Sequence, residues 1–346
     1  MADAAGSAVG RLRGSLRGTL RASRGIYRVL RANPLTLAGF ILVLIIVLVA
    51  ALVAFLPPIT GFLFGRSVSI LPHAPNELLP CPIVGNVTEC AQPPSAQAWF
   101  GTDNIGRDVF SRVLTALPLD LAIGFSIAGF ALLVGTGLGL VAGFWDKPGT
   151  LGGILSLGIM RVTDIFLAFP SLVLALAIAA SLGRGTGSAI LAIAITWWPF
   201  YVRLVRGEVL AVKNLPYVVA ARASGVSGIQ ILFRHVLRNI LEPLVVYYTL
   251  DVGTVIVTFS TISFIGIGVP PTIPEWGGMV ETYQKLLLSA PWTVLAPGAA
   301  IFVTVLAFSL LGDGLRDVLD PRSRRALVQA AATPGVAARA PAGAEA

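Results

Sequence analysis

Apolar side chains fall in six long runs separated by polar stretches. A helix crosses the hydrocarbon core of a bilayer with about 20 mostly apolar residues. Candidate spans run from Leu35 to Leu56, about Leu121 to Phe144, Ile159 to Leu182, Ser188 to Tyr201, Ile240 to Val269 and Trp292 to Leu311. The first is nearly pure aliphatic, the third is interrupted by Pro170, and the fourth is short and ends in TWWPFY. The pattern predicts an all-α polytopic membrane protein with six transmembrane helices. It divides the chain into a basic tail (1–34), a first transmembrane helix (35–56), a Pro-rich loop (57–117), a membrane core (118–312) and a second tail (313–346). The last stretch, Ala326 to Ala346, is rich in Ala, Pro and Gly without apolar periodicity and is expected to be disordered. The first run is too long for the apolar core of a secretory signal, about 7–15 residues, so it reads as an uncleaved span.

Composition agrees: 55% of residues are hydrophobic and 12% charged, where a soluble domain carries about 25% charged. The net charge of +8 raises nucleic acid as a partner, but its distribution points to the membrane. Met1 to Arg31 holds seven Arg and one acid. With that tail in the cytoplasm, 20 of the 25 Lys and Arg lie inside, and Arg66, Arg107, Arg112, Arg184 and Lys285 lie outside. That is the positive-inside bias, and it places both termini in the cytoplasm. The expected contact is lipid, with no nucleic acid.

Two His and two Cys are too few for a metal cluster. None of Lys147, Lys213 and Lys285 sits in a phosphate-binding GxxxxGK[ST] loop. No HExxH and no credible nucleophile–base pair is present, so no catalytic residue, metal site or cofactor is expected in this chain. Cys81 and Cys90 fall in the Pro-rich loop on the oxidising side, as a disulfide or as two free thiols. Acids inside spans are costly and are functional hypotheses by default. Asp251 lies near mid-membrane among Tyr247, Thr254 and Thr258. These residues either line a wet translocation path or serve as structural partners to another span. Outside, GTDNIGRD carries Asp103 and Arg107, and PPTIPEWG carries Glu275 and Trp276. Each either fixes local structure or the membrane interface, or contacts an external binding protein.

The segment YVVAARASGVSGIQILFRHVLRN, Tyr217 to Asn239, separates two spans on the cytoplasmic side. Pro216 suits a helix start. Ala220, Ala221 and Gly225 give that helix a side without bulk, and Ser227-Gly228 marks a turn. Ile231, Leu232, Val236 and Leu237 then make an apolar stripe for a second short helix. Two short helices at a sharp bend form a peg for a partner's groove; the alternative is an interfacial helix held on anionic lipid by Arg222, Arg234 and Arg238.

The same segment resembles the coupling loop of binding-protein-dependent ABC importer permeases, whose pattern is E-A-A, three residues, G, nine residues, H-x-L-P-N. Ala220, Ala221, Gly225, His235, Leu237 and Asn239 match, while Val219 replaces the acid and Arg238 the Pro. GTDNIGRDVFSR (101–112), MRVTDIFLAFPSLVLAL (160–176), PPTIPEWGGM (270–279) and GDGLRDVLDPR (312–322) resemble the dipeptide/oligopeptide (peptide/nickel) group. The N-terminal extension resembles that of its second, C-type permease. Ala116, Pro118 and Asp120 depart from the Gly, Arg and Ser usual in that group. The resemblance implies a type I ABC importer permease fold in the inner or plasma membrane of a prokaryote. It implies four partners: a second homologous permease, two ATPase subunits that bind ATP and Mg, and an extracytoplasmic substrate-binding protein. The 216–239 loop would dock into the ATPase. The cargo it implies is a di- or oligopeptide, with nickel or another metal chelate, or another small solute, as the alternative.

Overall fold

The computed structural model describes residues 34–64, 67–84 and 87–319. The basic tail and residues 320–346, including the stretch expected to be disordered, lie outside the described residues. Ten α-helical segments carry the fold: α1 (Pro34–Phe64), α2 (Val109–Phe144), α3 (Leu151–Leu167), α4 (Ser171–Leu182), α5 (Thr186–Val212), α6 (Pro216–Ala223), α7 (Gly228–Ile231), α8 (Leu237–Phe264), α9 (Trp276–Tyr283) and α10 (Trp292–Leu319). The hairpin β1 (Ile83–Val84) and β2 (Val87–Thr88) sits inside the loop closed by the Cys81–Cys90 disulfide.

Among the described residues five helices are long and apolar enough to cross a membrane, and the α3–α4 pair makes a sixth if it is taken as one span. The interruption at Pro170 is a break between two helices that meet at 86°. Pro170 caps α4 rather than kinking a continuous helix, because it has no N–H to give and restricts Phe169 before it. The helices also outrun the apolar runs. α1 continues through Pro57 and Pro58 to Phe64, and α2 begins at Val109, so the Pro-rich loop is shorter than 57–117. α5, read as the short span, has 27 residues and carries Pro199 in its interior. In a bilayer a helix keeps its backbone bonded internally, so polar ends extend past the apolar core without unravelling.

α2 and α5 form the centre. Gly135, Gly139 and Gly143 recur every fourth residue along α2 and face Tyr201, Val205 and Val209 of α5. A carbon added at Gly139 would lie 2.7 Å from Val205 Cβ, so the absent side chains set how closely the helices approach. α8 packs on α2 through Val252, Ile256 and Phe259 beside Ile123 and Ile127. α1 lies outermost against α10, and its exposed Leu, Ile and Phe side chains suit lipid contact.

Candidate coupling knuckle, membrane cluster and outer cap

α6 opens with Pro216 at its first turn and ends in a Schellman turn. The Val226 N–H donates to Ala221 O, the Gly225 N–H donates to Arg222 O, and Gly225 has φ +79°. Only glycine adopts that backbone without strain. Ser227 then caps α7 by accepting from the Gln230 N–H. The second helix of the knuckle is not separate, as the sequence had suggested. α7 passes through one π turn, Leu232–Val236, directly into α8, giving a helix of 37 residues from Gly228 to Phe264. The amide of Asn239 donates to His235 O at 2.5 Å along this wide turn. His235 is half-buried with its ring near Tyr217.

The knuckle has two sides. Val218, Ile231, Leu232 and Val236 are buried against Tyr201, Val205, Val209 and Val212 of α5. Ala220 and Gly225 are exposed, Ala221 is half-buried, and Val219, Ile229 and Phe233 stand 51%, 64% and 60% exposed. Leu237 is half-buried against the same core. Ion pairs brace the base: Arg206 with Asp146 at 2.8 Å and Arg203 with Asp164 at 2.6 Å. Lys213 donates to Gly143 O at 2.8 Å.

In the membrane centre, Asp251 accepts from Trp197 Nε1 at 2.7 Å and from Tyr201 Oη at 3.0 Å. Tyr247 packs beside Phe200. Thr254 and Thr258 follow on the same face of α8, but their hydroxyls donate to the Leu250 and Thr254 carbonyls of their own helix. Sequence reasoning missed Trp197 and Tyr201, since TWWPFY read as the end of a span. Their spacing of four, which puts both on one helix face, was the available signal.

The opposite end of the bundle is a cap, and the four residues considered for local structure or external contact are buried in it. Asp103 is fully buried and accepts from Arg107 Nε and Tyr283 Oη, both at 2.6 Å. Arg107 in turn donates to Tyr283 Oη at 3.2 Å. Burial, with the Asp103 charge adding to it, pushes the Tyr283 phenol up to about 12, so it remains a donor. Glu275 caps α9 by accepting from the Gly277 and Gly278 N–H groups at 2.8 and 2.7 Å, and burial raises its pKa. Trp276 is 1% exposed; its indole N–H donates to Val113 O and its backbone N–H to Asp120. These side chains hold the cap together. A cleft of about 480 Å³ opens beside them, lined by Arg112, Arg184, Glu281 and the 265–271 turn.

Residues 135–325, more than half of the chain, match the family described as binding-protein-dependent transport system inner membrane component. The chain belongs to this family. It is therefore a multi-pass inner membrane component of a transport system. It is 38% identical over 301 residues to the dipeptide transport system permease protein of Alkalihalophilus pseudofirmus, covering 87% of this chain and 90% of that one. A probable D,D-dipeptide transport system permease protein of Escherichia coli is 40% identical over 294 residues, covering 85% and 90%. A glutathione transport system permease protein of Pectobacterium atrosepticum is 42% identical over 229 residues, covering 66% and 74%. A chain from the structure "Inward facing conformations of the MetNI methionine ABC transporter" aligns with TM-score 0.48 and 20% identity, covering 61% of this chain and 95% of that chain.

Proposed function

We propose that this inner membrane component is one permease subunit of an ATP-driven importer of di- or oligopeptides. A second, homologous permease completes the path, two ATPase subunits bind ATP and Mg on the inner side, and an extracytoplasmic binding protein delivers cargo. The cargo class rests on the relatives, named as transport permeases for dipeptides, D,D-dipeptides and glutathione. The coupling role rests on the two-sided knuckle: Val219, Ile229 and Phe233 exposed on one side, and Val218, Ile231 and Val236 rooted in the α5 core on the other. An exposed apolar patch rooted in a packed core suits a partner interface. In this reading ATP-driven closure of the ATPase pair moves the knuckle, and α8 carries that movement into the bundle. The threonine face of α8 lines the path shared with the second permease, and Asp251 fixes α8 against α5.

The test is Ala220→Trp, on the exposed side of α6, where a helical backbone takes a bulky side chain without strain. The variant should insert and fold, fail to retain the ATPase on purification, and lose uptake by at least about 10-fold, or about 1.4 kcal/mol of coupling. Retained ATPase together with unchanged uptake would exclude the knuckle as the coupling element.

A further inference from the structure

The cleft in the outer cap is lined by two guanidinium groups, Arg112 and Arg184, and one carboxylate, Glu281. Arg112, in its lining, is 2% exposed. Its terminal nitrogens donate to Pro75 O, Asn76 Oδ1 and Pro271 O at 3.0, 2.8 and 3.2 Å, and its Nε–H has no partner. A buried cation is expensive unless a carboxylate or a full set of acceptors compensates it. Among the described residues no carboxylate lies within ion-pair distance of Arg112 or of Arg184, which stands exposed on the loop between α4 and α5. Glu281 of α9 lines the same cleft and accepts from the Thr282 hydroxyl at 3.4 Å. The remaining wall includes Ile265, Val269, Pro270 and Ile273. Two guanidinium groups, one carboxylate and an apolar wall therefore line a space of a size that holds small molecules.

We propose that this cleft receives the free carboxylate end of an incoming peptide, with Arg184 in contact with it and Arg112 supplying fixed positive charge in the lining. Glu281 takes the ammonium end of a short peptide, and the apolar wall takes a side chain. The proposal rests on the peptide-import reading and adds a selectivity that belongs to the permease itself.

The experiment uses the complete importer, with its binding protein and ATPase, in proteoliposomes. Uptake of L-alanyl-L-phenylalanine is compared with uptake of its C-terminal amide, for wild type, Arg184→Gln and Arg184→Lys. A charge-assisted hydrogen bond is worth about 10- to 100-fold. Arg184→Gln should therefore raise KM for the free acid about 10-fold and leave KM for the amide within about 2-fold, with Arg184→Lys restoring part of the difference. Because the binding protein is the same throughout, a changed acid-to-amide ratio belongs to the permease. Equal loss for both peptides would make the cleft a contact face for the binding protein and overturn the proposal, as would no change for either. If the wild type takes up neither peptide, the peptide reading falls and this proposal with it; normal uptake with an unmoved ratio removes the carboxylate site alone.

Discussion

Single side chains at the outer cap carry structural duties that their sequence context concealed. Tyr283 donates to the buried Asp103 and accepts from Arg107. Its folded-state pKa is raised, so this bond is fully present below the ordinary tyrosine value near 10 and is lost as pH climbs through about 12. Tyr283→Phe leaves Asp103 one donor short and should lower stability by about 1–3 kcal/mol, read as a drop in the melting temperature of the purified protein in detergent. The stability gap between wild type and variant should stay flat from pH 6 to 9. Asp103 and Arg107 were visible in the sequence as a local polar turn, and that part of the reading agrees with the ion pair at 2.6 Å. Tyr283, 180 residues away, was not visible, because only the fold brings α9 to that turn. Asp251 is parallel: an acid within an apolar run announces itself, whereas its donors lie 50 and 54 residues away on another helix.

At the scale of elements, apolar run length located every long helix and two of the ends, Phe144 and Trp292, but stopped short of others such as Phe64 and Val212, since a helix does not stop where hydrophobicity stops. The stripe of Gly135, Gly139 and Gly143 decides how α2 meets α5. Gly139→Leu would drive its side chain into Val205 and should cost about 3 kcal/mol or more, the upper end of overpacking. Gly137 sits on the same helix with nothing near its added carbon, so Gly137→Ala should leave the yield of folded protein on size exclusion unchanged where Gly139→Leu lowers it. The right-angled break between α3 and α4 was legible as an interruption, but its angle was not. Proline ends a helix locally, while the direction in which the chain leaves is set by packing, here by α3 tied to α5 through Asp164 and Arg203.

For the whole molecule, the exposed surface is of two kinds. α10 presents Phe302, 66% exposed, among aliphatic neighbours, and α8 presents Thr254 among polar ones. If the first meets lipid and the second a hydrated path, a cysteine at Thr254 should react with a membrane-impermeant maleimide in the assembled importer. A cysteine at Phe302 should react at least about 10-fold more slowly, measured by the rate of mass shift. Charge bias and motif order predict which end of the bundle faces the cytoplasm. What sequence could not supply is the joint between the two ends. Gly228 to Phe264 is one rod of 37 residues, about 55 Å long. Asp251 pins it to α5 roughly 35 Å from one tip and 20 Å from the other. In the importer reading proposed above, a push on the knuckle tip turns this rod about Asp251 and swings the far tip the other way, so closing one door and opening the other become a single stroke.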